Sequence, residues 1–243
     1  MDPETKACMD RVLKLATSSP SPESTTESRP KFIRPTAEET AARVKKQVDS
    51  ELRGYIPRMF LDAEIEKCAV KSLGFQSVFL TGPAGTGKTY LAAAILKETL
   101  RTYFRGETEK RYEACEKVGY PDVYFEPSPV PSWRWTSVPE LLLELRGSFR
   151  DGSEDSEQKI IDEYSRTGHL ILDDLGAEKS SEYTIQSLYL IIDRRYSDLM
   201  PTIITSNMSI GEIANTVGDR IASRIAGMCK VIELKGRDRR IGA

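Results

Sequence analysis

The chain has 243 residues, with 35 Lys and Arg against 37 Asp and Glu and a formal net charge of −2. That is enough for one α/β domain with an appendage, and it gives no overall basic field, so any nucleic-acid contact must be local. Cys8, Cys68, Cys115 and Cys229 stand far apart without a CxxC pair, which excludes the usual zinc spacings, offers no disulfide framework and suits a reducing compartment. No run approaches the roughly 18 apolar residues that span a bilayer, and the N-terminus lacks an apolar targeting core. A soluble, cytoplasmic protein without membrane association is expected.

In residues 1–35, Met9, Val12, Leu13 and Ala16 suit a short helix. SSPSPESTTESRP then has too little apolar surface to order itself, so an N-terminal extension disordered over much of its length is expected. Residues 36–53 form an amphipathic helix or linker. Thr36 and Glu39 make a capping box, and Ala37, Ala41, Val44, Val48 and Leu52 mark one face, with Arg43, Lys45 and Lys46 on the other. That basic face reads as a solvated surface or as a partner- or nucleic-acid-binding arm.

Residues 54–243 read as the main domain. GYIPRMFLDAEIEKC is a lead-in, with Pro57 stopping any helix and Leu61, Ile65 and Cys68 spaced helically. Val78, Phe79 and Leu80 suit a buried strand, and GPAGTGKT comes next, before a helix marked by Leu91, Ile95, Leu96, Thr99, Leu100 and Tyr103. Residues 105–131 mix charge with Gly and Pro and read as a surface insertion. Trp133, Trp135 and Thr136 form a strand. A second capping box, Ser137 and Glu140, opens the next helix, with Pro139 tolerated in its first turn. HLILDD and TIITSN are further strands separated by the helix of Ile185, Leu188, Tyr189, Ile192 and Tyr196. Alternating strands and helices predict a central parallel sheet flanked by helices, with ligands at the strand C-termini.

The residues at those strand ends set the chemistry. Gly82, Gly85 and Gly87 let the backbone of Gly82, Pro83, Ala84, Gly85, Thr86 and Gly87 curl into a nest of N–H groups for phosphate. Lys88 would contribute a point charge to the β/γ-phosphates, Thr89 a hydroxyl ligand for Mg²⁺, and the helix starting there, with Tyr90 in its first turn, a positive N-terminal end. Asp173 is placed to hold Mg²⁺ largely through water. Asp174 is placed to orient the water that attacks the γ-phosphate, and Asn207 to hydrogen-bond that water. Ser209 and Glu212 cap a short helix, and DRIASRIAG then sets Arg220 and Arg224 four residues apart on one face. They suit an arginine finger acting on a neighbouring subunit's nucleotide, or a solvated face with Asp219 and other acids nearby. Lys235, Arg237, Arg239 and Arg240 make a basic C-terminal segment, and Trp133 and Trp135 read as core aromatics or base-stacking platforms.

With those residues located, the stretch from about Gly54 to Arg240 resembles the DnaC/IstB-like branch of AAA+ P-loop ATPases, and more closely the DnaC-type replicative helicase loaders. IPRMFLDA, GPAGTGKTYLAAA, LILDDLGAE, TIITSN and DRIASRIAGMCKVIELKGRDRR carry the resemblance. It implies an ATP- and Mg²⁺-dependent ATPase, assembled head to tail as a homo-oligomer with interfacial ATP sites, acting on a replicative DNA helicase and single-stranded DNA. By position Arg224 resembles the finger, Arg220 its neighbour and Arg240 a sensor-2-like residue reaching ATP, with the C-terminal lid minimal or absent. An IstB-type transposition helper ATPase is the nearest alternative. A P-loop enzyme phosphorylating a small molecule and a non-hydrolysing nucleotide switch belong to other classes.

Overall fold

The computed structural model of the chain describes residues 31–64, 76–119, 121, 128–150, 154–177, 182–236 and 238. The helix expected around Met9, the low-complexity stretch, Ile65, Cys68 and Arg240 all lie outside the described residues. In chain order the elements are α1 (Ala37–Leu52), a 3₁₀ turn (Arg58–Phe60), β1 (Val78–Thr81), α2 (Lys88–Val118), β2 (Trp133–Ser137), α3 (Val138–Arg150) and α4 (Glu154–Arg166). After these come β3 (His169–Leu175), α5 (Glu182–Ser197), β4 (Thr202–Ser206), α6 (Ile210–Thr216), α7 (Asp219–Met228) and β5 (Lys230–Glu233).

The described strands pair in parallel in the order β2-β3-β4-β1-β5. Helices cover both faces, as the apolar strands require, because side chains alternate between faces along each strand. Val78, Leu80, Ile171 and Ile203 meet α1, α2 and the lead-in on one side. Phe79, Leu170, Leu172 and Ile204 meet the helices from α3 to α7 on the other. The fold is therefore the expected α/β P-loop architecture, and it brings the C-terminal ends of β1, β3 and β4 side by side.

All three capping boxes are present, at Thr36 with Glu39, Ser137 with Glu140 and Ser209 with Glu212. α1 docks through Val44, Val48 and Leu52, each no more than 3% exposed. Their burial contributes roughly 2 kcal/mol apiece. Arg43, Lys45 and Lys46 face solvent, as do Ala37 and Ala41, which the apolar face had included. The tryptophans pack against the lead-in: Tyr55 meets Trp133 edge-on at 5.1 Å between centroids, and Phe60 stacks on Trp135 at 6.4 Å.

The reading of residues 105–131 needs correction over its first half, because residues 105–118 simply continue α2 to Val118. Gly106 costs a helix only about 1 kcal/mol, while Phe104, Tyr112 and Cys115 bury one side of the extension. The helix stops at Gly119, which adopts φ 80° and donates its N–H to the Cys115 carbonyl at 2.8 Å. Arg34, from the segment before α1, pairs with Glu109 and Glu116 on this extension.

One buried cation ties the other end of the sheet together. Arg195 is fully enclosed and donates to Thr202 Oγ1 and to the carbonyls of Tyr164, Ser165, Thr167 and Pro201. Burial draws its guanidinium down to about 10, so it remains charged at neutral pH. Arg195→Ala leaves those acceptors unsatisfied and is expected to cost about 3 kcal/mol or more, read from the urea midpoint. Arg195→Lys, with three donors in place of five, should recover only part of the loss.

Candidate functional site

The C-terminal edge of the sheet carries a cavity of about 390 Å³. Its floor is Ala84, Gly85 and Gly87 of the loop between β1 and α2 with Lys88 and Thr89 of α2, and Asp174 and Asn207 face it from the ends of β3 and β4. The loop turns through left-handed backbone at Gly85 (φ 74°) and Gly87 (φ 93°), conformations that glycine adopts without a Cβ penalty. Thr86 Oγ1 closes it on the Pro83 carbonyl at 2.8 Å. α2 begins at Lys88, so its first-turn N–H groups and the positive end of its dipole face the cavity.

Lys88 is 5% exposed, and its ammonium donates to the Gly82 and Pro83 carbonyls at 2.8 Å and to Asn207 Oδ1 at 2.7 Å. It joins the loop to the end of β4. On its other flank, Thr89 Oγ1 donates to Asp173 Oδ1 at 3.1 Å, and Thr205 Oγ1 donates to the same oxygen at 2.5 Å. A hydroxyl beside a carboxylate is the donor pair that suits Mg²⁺, which keeps several waters and takes phosphate oxygens as further ligands. The residues present therefore fit that ion.

The two acids differ because the β3–β4 pairing slips between them. Leu172 pairs with Ile204 but Leu175 with Ser206, so β3 carries one extra residue where Asp173 and Asp174 lie. Asp174 takes φ 59°, an αL conformation that Asp tolerates better than most residues, and its N–H donates to Thr205 Oγ1 at 3.0 Å. The result is Asp173 buried and Asp174 exposed on one edge. Burial raises the Asp173 pKa above 3.8, and the Asp174 charge adds to this, against the hydroxyls of Thr205 and Thr89 and the charge of Lys88.

Several residues at this edge escape a motif reading. Met59 and Phe60 of the lead-in close the cavity, with Tyr90, and supply the apolar surface that a nucleotide base needs. Tyr90 Oη accepts the Glu64 N–H at 3.1 Å. Lys97, 1% exposed on α2, donates to the Leu61 carbonyl and lies 3.5 Å from Glu64 and 3.9 Å from Asp49. A lysine within the apolar stripe of LAAAILKETL was the available signal for a buried tether.

The two arginines stand apart from this group. Arg220 is exposed, 5.9 Å from the Tyr189 ring centroid. Arg224 lies over Tyr196 at 4.8 Å, and its Nε donates to Asp193 Oδ1 at 2.6 Å, a pairing that raises its pKa. The acid paired with Arg224 is Asp193 of α5, and neither arginine lines the cavity.

Residues 131–242 match the family model of IstB-like ATP binding proteins. Over 149 residues, 61% of this chain, the sequence is 27% identical to the replicative helicase loader DnaC of Escherichia coli strain K12. It spans about half the length of that relative, 49%. Among solved structures, the chain is similar to DnaI, at 23% identity and TM-score 0.47 over 86% of the chain and 87% of that structure. It is likewise similar to the DnaC helicase loader, at 21% identity and TM-score 0.48 over 84% and 94%. No helix among the described residues is long and apolar enough to cross a membrane.

The raised Asp173 pKa carries a stability consequence. The native state holds this proton more tightly than the unfolded chain, so stability falls as pH rises from below 3.8 through the folded-state pKa. Asp173→Asn should therefore melt higher than the wild type at pH 7, with the gap closing below about pH 4 in thermal scans.

Proposed function

We propose that the chain binds ATP with Mg²⁺ at this edge, hydrolyses it, and acts as a loader of a replicative DNA helicase that also contacts single-stranded DNA. The observation that supports this best is the convergence of Lys88, Thr89, Asp174 and Asn207 on one loop-floored cavity, with Asp173 hydrogen-bonded to Thr89 behind it. In this reading the loop N–H groups and the end of α2 bind the triphosphate, and Lys88 exchanges a carbonyl partner for a phosphate oxygen. Thr89 and Asp173 hold Mg²⁺, which when bound neutralises charge on the β- and γ-phosphates. Asp174 accepts a hydrogen bond from the attacking water, and Asn207 holds that water in line. Met59, Phe60 and Tyr90 receive the base.

Arg224 would act on the ATP of an adjoining copy in a head-to-tail homo-oligomer, exchanging Asp193 for γ-phosphate charge, with Arg220 beside it. Arg240 is assigned to the nucleotide by its motif position. The DnaC relatives favour a loader, while the IstB-like description of the matched family favours a transposition helper as the second reading. Binding to a purified replicative helicase rather than to a transposase separates the two.

The chemical step is tested by Asp174→Asn in the full chain. Turnover is expected to fall about 100-fold or more while the Kd for ATP stays within about threefold of wild type. Equal turnover by Asp174→Asn would overturn the hydrolytic role of Asp174, and ATP binding without turnover in the wild type would leave a non-hydrolysing nucleotide switch. Turnover that requires a small-molecule acceptor would point to a kinase.

A further inference from the structure

We propose that Leu234 and Asp238, which follow β5, pack against the phosphate loop, and that the Asp238 carboxylate competes with nucleotide phosphate for that loop and so lowers nucleotide affinity. This rests on the reading of the loop as a nucleotide site. β5 pairs with β1, the strand that leads into the loop, with Thr81 opposite Glu233 and the Leu234 N–H donating to the Thr81 carbonyl at 2.7 Å. The chain therefore leaves β5 at the loop's edge.

Leu234 and Asp238 lie directly on two of the loop glycines. A Cβ at Gly82 would stand 2.2 Å from the Leu234 carbonyl oxygen. A Cβ at Gly85 would stand 1.8 Å from Asp238 Oδ1, 2.0 Å from its Cγ and 2.6 Å from Oδ2. The whole carboxylate thus rests against Gly85, and this close approach is a second reason, besides the turn, for glycine there.

Charge gives the contact its meaning. Gly85 lines the cavity, in a loop whose N–H dipoles favour anions. The terminal KGRDRR holds four cations and one acid, and the acid is the residue set against the loop. A triphosphate arriving at Gly85 meets a carboxylate of its own sign. Asp238 must draw back as the phosphates settle, which couples occupancy of the loop to the position of that side chain.

The test titrates the full chain at equilibrium with AMPPCP and with ADP, for wild type, Asp238→Asn and Asp238→Ala, with thermal midpoints confirming the fold. Both substitutions should lower the Kd for AMPPCP at least about threefold, and for ADP by less because ADP carries less negative charge. Wild-type affinity in Asp238→Asn together with weaker binding in Asp238→Ala would show a buttress for the loop and overturn the competition. Unchanged affinity in both would overturn it as well. Failure of the wild type to bind either nucleotide would remove the nucleotide-site reading, and this proposal with it.

Discussion

Parallel pairing of β1, β3 and β4 is the constraint on which the site depends. With all strands pointing one way, the residues after each strand emerge on a single edge, and the order β3-β4-β1 makes those ends neighbours. Lys88 can then reach Asn207, and Thr89 can reach Asp173, although 119 and 84 positions separate them in the chain. The energy that holds this edge in place comes from elsewhere. Two apolar layers press on the sheet, and Arg195 gathers carbonyls at the opposite end of the strands.

Much of this was legible because the informative signals are local. A strand, a glycine-rich turn and a helix in that order carry their own geometry, and capping boxes are written in residues three apart, so all three were readable. The Asp173 and Asp174 pair was legible, with separate roles for the two acids, but not the burial of one and the exposure of the other. That division comes from a one-residue slip against β4, a property of two strands that no single stretch records. The helical run of residues 105–118 was obscured by its charges and by Gly106, since its few apolar residues find their cover in segments distant in sequence. Tertiary context overrode composition there.

The lead-in shows how a segment without a chemical motif becomes part of the site. Lys97 binds the Leu61 carbonyl, and Arg101 meets Glu64 at 2.7 Å. The Glu64 N–H in turn reaches Tyr90, two residues past Lys88. Met59 and Phe60 are held over the cavity by this set of contacts and by Trp135. The N-terminal helix and the phosphate loop thus share one rigid support, α2.

If this edge is half of an ATPase site completed by another copy, mixing two inactive variants should restore what neither has alone. Lys88→Ala retains the arginines on α7 and lacks the phosphate-binding ammonium, whereas Arg224→Ala has the reverse defect. Each is expected to be inactive by itself and the mixture to regain turnover, with activity rising more steeply than protein concentration. Full activity of Arg224→Ala by itself at every concentration would contradict the shared site and confine the chemistry to a single chain.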